Sequence, residues 1–459
     1  MTLDTPARPA VRLAMTALIL AVLLAALDQT IVSTALPKIA ADLGGFRDIA
    51  WITASYLLAS TAATPLWGKL GDMLGRKRLY LVATTAFLVA SALCGLAQDL
   101  PQLIAARAVQ GLAGGGMIVL TFALVGDIVE PAERGRYQGR FGSVYGVASI
   151  AGPLLGGLFT DHLSWRWAFL VNVPVGLVAV ILAARALPAP VRRPAARIDY
   201  PGALLLAGAA TALVLITSFG PRWGWTSPGT LGLAAAAVVL ALLVIPVERR
   251  AAAPVLPLSM FASRTVVIAS LVGFIANVAM FSVLVYLPTF LQVADGVSAT
   301  LSGVHMLPLV IGLVVSQSLA GRWVANPARL RVVLVTGMAL NVAGLLLLST
   351  LAPGTAQLAL VAYFLVAGVG IGMVPMVALT AAQNAVPATD IGAASAVVTF
   401  ARSIGAAFGV AVFGSLLGED VAHTLGGAFL AITPVVVLGA VLAGLLRRQP
   451  SAASNIPAS

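Results

Sequence analysis

Apolar positions in this chain fall in long continuous runs, with neither the alternation of a half-buried strand nor the one-sided stripe of a surface helix. Fourteen runs reach the roughly 20 residues that a helix needs to cross a hydrocarbon core. They lie at 12–36, 50–70, 79–98, 103–126, 138–160, 166–186, 200–219, 229–247, 265–292, 299–319, 331–350, 357–381, 391–417 and 426–446. Clusters of charge, Pro and Gly separate them, and the connections are too short for a soluble domain. The pattern predicts an all-α integral membrane protein with 14 transmembrane helices.

Few polar positions break these runs. In "AALDQTIVSTALP" (25–37) a carboxylate, Asp28, lies well inside the first. An acid at that depth costs about 2.5–3.5 kcal/mol on insertion scales, so it needs a partner or a task. The other acids fall in loops or at run ends, and runs nine to fourteen embed none. Two cations are embedded, Arg107 in the fourth run and Arg402 in the thirteenth, within "TFARSIGAAFG". Arg107 shares one helical face with Gln110, Gly111 and Gly114, a stripe that suits a wet cavity wall, and it is the expected partner of Asp28. Burial disfavours the charged acid and a nearby guanidinium favours it, so a moving Arg or an entering cation can switch the proton on Asp28. A static Asp28–Arg107 strut is the alternative. Arg402 either snorkels toward the cytoplasm or neutralises an anionic ligand.

Composition agrees with the runs. Hydrophobic residues make up 60% and charged residues 9%, against roughly a quarter charged in soluble domains, and mean hydropathy is +1.02. The net charge of +11 does not call for nucleic acid, because its placement accounts for it. With the N-terminus in the cytoplasm, 21 of the 27 Lys and Arg fall in cytoplasmic segments. Four (Lys38, Arg47, Arg166, Arg222) fall outside and two within runs, as the positive-inside rule requires of an even span count. Both termini are expected in the cytoplasm, without a cleavable signal. The lone Cys94 allows no internal disulfide, and metal-ligand spacing is missing. Gly68-Lys69 is followed by Leu70 and lacks the upstream glycine of a phosphate loop, so an ATP-driven pump is not indicated. His162 and His423 fall in outer loops, and His305 stands alone near a run start.

Runs seven and eight contain no ionised group and read as lipid-facing filler between two six-span halves. A faint internal repeat supports the halves: "GRWVANPARLR" (321–331) echoes "GKLGDMLGRKR" (68–78).

Several segments then carry a resemblance. "GKLGDMLGRKRLYL" (68–81) resembles the loop between spans two and three of the major facilitator superfamily, and "LIAARAVQGLAGGG" (103–116) its fourth-span motif. "GVASIAGPLLGG" (146–157) is similar to its antiporter motif on span five. With "LDQTIVSTALP" (27–37), "SWRWAFLVNVPVG" (164–176) and "YLPTFLQVADGVSATLSGVHMLP" (286–308), the chain resembles the 14-span drug:proton antiporter branch. The basic residue that often follows the loop's Asp is replaced here by Met73.

The resemblance implies a major facilitator fold: a six-helix half at 1–198, two inserted helices at 199–250 and a second six-helix half at 251–459. It implies a non-enzymatic, cofactor-free monomer in the cytoplasmic membrane that uses the proton gradient. The expected work is export of amphipathic or cationic drugs in exchange for protons by alternating access. A dedicated exporter of one metabolite, antibiotic or lipid is the runner-up, followed by a proton-independent uptake carrier. Proton coupling is expected at Asp28 and Arg107, and a cytoplasmic gate at Gly68, Gly71, Asp72, Gly75, Arg76, Lys77 and Asp127. Gly146, Gly152, Pro153, Gly156 and Gly157 suit close helix approach and a bend. Candidate cavity residues are Gln29, Trp51, Tyr56, Gln110, Tyr145, Asn277, Phe281, Asn341 and Arg402.

Overall fold

The computed structural model describes residues 8–44, 48–128, 131–187, 199–251, 254, 258–324, 327–387, 390–417 and 421–446. Among these the chain is helical throughout, with no strand. The helices are α1 (Arg8–Leu43), α2 (Ala50–Leu74), α3 (Arg76–Leu96), α4 (Leu100–Ile128), α5 (Pro131–His162), α6 (Trp167–Leu170), α7 (Asn172–Ala186) and α8 (Tyr200–Trp223). They continue with α9 (Pro228–Arg250), α10 (Arg264–Val293), α11 (Ala299–His305), α12 (Leu307–Trp323), α13 (Leu330–Leu348), α14 (Gln357–Gln383), α15 (Ile391–Leu416) and α16 (Val421–Gly444).

Every apolar run becomes helix, and 11 helical stretches among the described residues are long and apolar enough to cross a membrane. The runs at 50–70, 138–160 and 200–219 form α2, α5 and α8 but are not among the 11. In α8 the apolar part, Pro201–Thr217, is shorter than the others.

Two runs are broken, and proline accounts for both. The sixth splits at Val171 between α6 and α7, where Pro174 offers no N–H to the carbonyl of Leu170. The tenth splits at Met306, where Pro308 does the same to Val304 and sits in the first turn of α12. Pro37, by contrast, does not end α1, which runs on to Leu43. The stretch 68–78, expected as a loop, is helix on both sides of Gly75. Gly75 alone turns the chain, at φ 95°, a conformation that favours glycine.

Cα proximity groups the chain into two units: Met1–Ala209 with Arg250–Val255 and Ser298–Thr300, and Ala210–Arg249 with Leu256–Val297 and Leu301–Ser459. Within the first, α1 packs on α4, α5 and α7, α4 packs on α2 and α3, and α3 packs on α7. Within the second, α10 packs on α14, α15 and α16, α14 packs on α12 and α13, and α13 packs on α16. The two packing schemes are the same if α10, α12, α13, α14, α15 and α16 stand for α1, α2, α3, α4, α5 and α7.

Glycine pairs four residues apart sit at equivalent crossings in both units. A Cβ on Gly111 would strike the Tyr56 carbonyl and one on Gly115 the Ser60 carbonyl, at the α2–α4 crossing. Gly368 and Gly372 stand in the same relation to the carbonyls of Leu309 and Leu313, at the α12–α14 crossing. With no hydrophobic force between helices in lipid, such close backbone approach supplies the packing energy. The faint repeat in the sequence is therefore an architectural repeat. In α9 only Thr230, Val244 and Glu248 are buried, whereas most of α10 is, as expected of a lipid-facing α9.

Candidate functional site

Four helices of the first unit converge on Asp28. On α3, Tyr80, Thr84, Phe87, Ser91 and Cys94 recur every three or four residues, forming one buried face. The α4 stripe of Arg107 and Gln110 points at the same spot, and Asn172 enters it as the first residue of α7, just past the helix break.

Asp28 is fully buried, and so is Arg107. Arg107 Nη1 donates to Asp28 Oδ2 at 2.6 Å, while Gln110 Nε2 and Asn172 Nδ2 donate to Oδ1 at 2.8 and 2.9 Å. Three donors, one of them ionised, meet an ionised carboxylate well. A second layer holds the donors. Arg107 Nε donates to the Ile52 carbonyl at 3.1 Å and Nη1 to Gln110 Oε1 at 2.6 Å. Ser91 Oγ accepts from Gln110 Nε2 at 2.7 Å and from Asn172 Nδ2 at 3.3 Å. Cys94 Sγ lies 3.6 Å from Gln110 Oε1. The Tyr56 ring covers the guanidinium at 4.3 Å, with Phe169 at 5.7 Å. Gly114 leaves room for the Tyr56 hydroxyl, which would stand 2.5 Å from a Cβ placed there.

The pairing expected of Asp28 and Arg107 is thus present, but its surroundings differ from expectation. The Arg107/Gln110 stripe faces Asp28 and Tyr56 rather than water, because the acid, the ring and the glycines fill the space against α1 and α2. Two partners escaped the sequence reading, Ser91 and Asn172. Asn172 had a readable signal, a polar residue in an apolar run two places before Pro174.

The opposite face of α1, beside Asp28, carries α5. Pro153 is buried inside α5 and leaves the Ser149 carbonyl without its N–H. A Cβ on Gly152 would strike Thr30 Oγ1, and one on Gly156 would come within 2.7 Å of the Ile31 carbonyl. Gly157 lies against Thr300 in the same way, and Gly146 is buried. At the end of α5, Asp161 accepts from the backbone N–H of Ala299 at 3.1 Å and of Thr300 at 2.7 Å, residues of the same unit.

Of the expected gate, Arg76 pairs with Asp127 at 2.8 Å and also donates to the Ala123 carbonyl near the C-terminal end of α4. Lys77 Nζ donates to the Leu187 carbonyl at 2.6 Å. Gly71 packs under Leu120, and Gly68 lies near Val119. The side chain of Asp72 lies outside the described residues, as does that of Tyr145. Among the cavity candidates, Tyr56 and Gln110 belong to the Asp28 cluster. Asn277 and Asn341 are buried in the second unit, Asn277 donating to the Gly273 carbonyl at 2.9 Å. Gln29, Trp51, Phe281 and Arg402 are half-buried, with the Arg402 stem against Gly273. No group of three His, Cys, Asp or Glu that could hold a metal occurs among the described residues.

The Major Facilitator Superfamily model matches residues 18–205 and again 202–410. This chain belongs to that superfamily. Its long apolar helices agree with a multi-pass membrane protein. It is 37% identical over 414 residues to the multidrug transporter protein MdtP of Bacillus subtilis, covering 90% of this chain and 76% of MdtP. It is 42% identical to the MFS-type transporter Rv1877 of Mycobacterium tuberculosis, also over 90% of this chain, and spans 60% of that protein's length. A crystal structure of a D-xylose-proton symporter has the same fold at 15% identity (TM-score 0.68, covering 96% of this chain and 98% of the symporter).

Proposed function

We propose that this major facilitator protein exports amphipathic, often cationic compounds from the cytoplasm in exchange for protons, by alternating access. In this reading it belongs to the 14-span drug:proton antiporter branch. Two six-helix halves, 1–198 and 251–459, flank inserted helices at 199–250, and the monomer sits in the cytoplasmic membrane with both termini inside. The names of its relatives support export: MdtP is a multidrug transporter and dotC of Dothistroma septosporum, 35% identical over 88% of this chain, is an efflux pump.

One observation carries the proton coupling: the sealed, fully bonded Asp28–Arg107 pair. A buried ion pair survives only while both partners stay in place, and removing one leaves a charge that the interior cannot hold. Any movement of α4 against α1 that withdraws Arg107 therefore drives a proton onto Asp28. Return of Arg107, or approach of a cationic substrate, drives it off. In the conformation described here Asp28 is fully buried and paired with Arg107. Opening toward either side would let it exchange its proton there. The α5 glycines against Thr30 and Ile31 put a bendable helix on the opposite side of the same turn of α1, which couples bending to this switch. The Arg76–Asp127 pair, with Asp72 and Lys77 nearby in sequence, latches the cytoplasmic end.

Efflux of a fluorescent lipophilic cation from cells lacking their own pumps tests the reading. Wild-type efflux should stop on adding an uncoupler, and Asp28→Asn should abolish uncoupler-sensitive efflux while remaining in the membrane. Full efflux by that variant refutes the coupling role.

A further inference from the structure

Asn172 Oδ1 is buried and accepts no hydrogen bond, although Nδ2 of the same amide donates to both Asp28 Oδ1 and Ser91 Oγ. A buried acceptor left unused is costly and rare, and this one lies on the amide that touches Asp28. The other acceptors around Asp28 are occupied. Gln110 Oε1 takes Arg107 Nη1 and Cys94 Sγ, and Ser91 Oγ takes Gln110 Nε2 and Asn172 Nδ2. An ionised carboxylate only accepts, so the amide N–H faces it correctly. A protonated carboxyl also donates, and its new O–H then needs an acceptor.

We propose that Asn172 is a positioning residue whose amide turns with the protonation state of Asp28, N–H toward the carboxylate and C=O toward the acid. This rests on the reading of Asp28 as the coupling acid. Proton uptake forms one O–H bond on Asp28 and breaks no covalent bond in the protein. The rotated amide accepts that O–H, and Arg107 loses the charge that held it. The place of Asn172 suits the role. It is the first residue of α7, one past the break at Val171 and two before Pro174, which offers the Leu170 carbonyl no N–H. Turning the amide thus acts at the break between α6 and α7. The titratable and charged groups facing the cluster are Arg107 from α4, Cys94 from α3 and Tyr56 from α2, with Asp28 itself from α1. None of these replaces the amide as an acceptor for a protonated Asp28.

The test uses full-length protein in liposomes with tetraphenylphosphonium as cargo and an imposed proton gradient. Asn172→Leu removes a donor that favours the ionised acid, so its pH–rate midpoint should move up by about one pH unit, a tenfold change in proton concentration. Asn172→Gln, which keeps the amide, should return the midpoint toward wild type. A transporting Asn172→Leu with an unmoved midpoint overturns the proposal and makes Asn172 a packing residue. Infrared difference spectra of the wild-type protein between high and low pH give a second readout that does not need Asn172→Leu to transport. A carboxyl band that Asp28→Asn removes should titrate together with an asparagine carbonyl band. If the carboxyl band titrates and no asparagine band follows, only the Asn172 proposal fails. If Asp28→Asn leaves both the carboxyl band and coupled efflux intact, the coupling reading itself fails.

Discussion

Replacing Arg107 by Met keeps an unbranched apolar stem and deletes the guanidinium and its charge. Asp28 would retain the amide donors of Gln110 and Asn172 but lose the guanidinium at 2.6 Å. Two routes then compete. Holding a lone charge in a site that is fully buried costs about 3–5 kcal/mol, the usual penalty for breaking a buried pair. Protonating an ordinary aspartic acid at pH 7 costs about 4 kcal/mol, roughly three pH units at 1.36 kcal/mol each. Both routes predict a loss of about 4 kcal/mol at neutral pH, and the second adds a signature. Each unit of acidification should return about 1.4 kcal/mol until the pH reaches the ordinary aspartate range, where the unfolded chain binds the proton as well. Stability of the variant thus falls as pH rises, the direction expected of a carboxyl whose neutral form the fold prefers. Removing the orphaned charge as well, in Asp28→Asn/Arg107→Met, should restore most of the loss. Unfolding in mixed detergent titrations at pH 7 and pH 5 reads all of this. A single variant within about 1 kcal/mol of wild type at pH 7, or a double variant no more stable than the single, would refute the reasoning.

Three further outcomes follow from the same geometry. Cys94 is the chain's only cysteine and is fully buried beside Gln110, so a membrane-permeant maleimide should label it slowly at rest and much faster once tetraphenylphosphonium drives cycling; rapid labelling at rest would show that the cluster is not sealed. Gly156→Leu pushes a side chain into the Ile31 carbonyl, so transport should be lost and stability should fall by about 1–3 kcal/mol in the same detergent titration. Burial alone would push the Asp161 carboxyl up, but hydrogen bonds from Thr300 and Ala299 hold it below its ordinary value. Its contribution is therefore whole above the usual carboxylate range and lost as pH falls through the lowered value. Hydrogen exchange at Ala299 and Thr300 should be protected at neutral pH, and Asp161→Asn should weaken that protection.

Much of the fold was legible because hydrocarbon leaves a chain few options. Every apolar run became helix, and the embedded Asp28 and Arg107 found each other because neither tolerates lipid alone. The rest of the cluster was harder to read. Ser91 and Asn172 are neutral, cost little in a helix and could have faced any neighbour. Asn172 stood out as a polar residue before Pro174, but only knowing that α3 and α7 both pack near α1 assigns the two to Asp28, and one sequence does not specify which faces meet. The same blindness explains the stripe on α4. Periodicity placed Arg107, Gln110, Gly111 and Gly114 on one face correctly, but it could not tell a wet wall from one covered by Tyr56. Pro174 and Pro308 were visible as letters, yet Pro37 in α1 shows that a proline in a long apolar helix does not always end it. The glycine pairs at Gly368 and Gly372, which echo Gly111 and Gly115, were too common a residue type to stand out in a chain with 45 glycines.

The central claim is that cargo and proton exchange through Asp28, and weakly buffered solution measures it directly. Adding tetraphenylphosphonium to purified wild-type protein held at a pH where part of the population is protonated should release protons in proportion to the cation bound. Asp28→Asn should bind the cation and release none. Equal proton release from that variant, or cation binding by the wild type with no release across the whole pH range, would contradict the account.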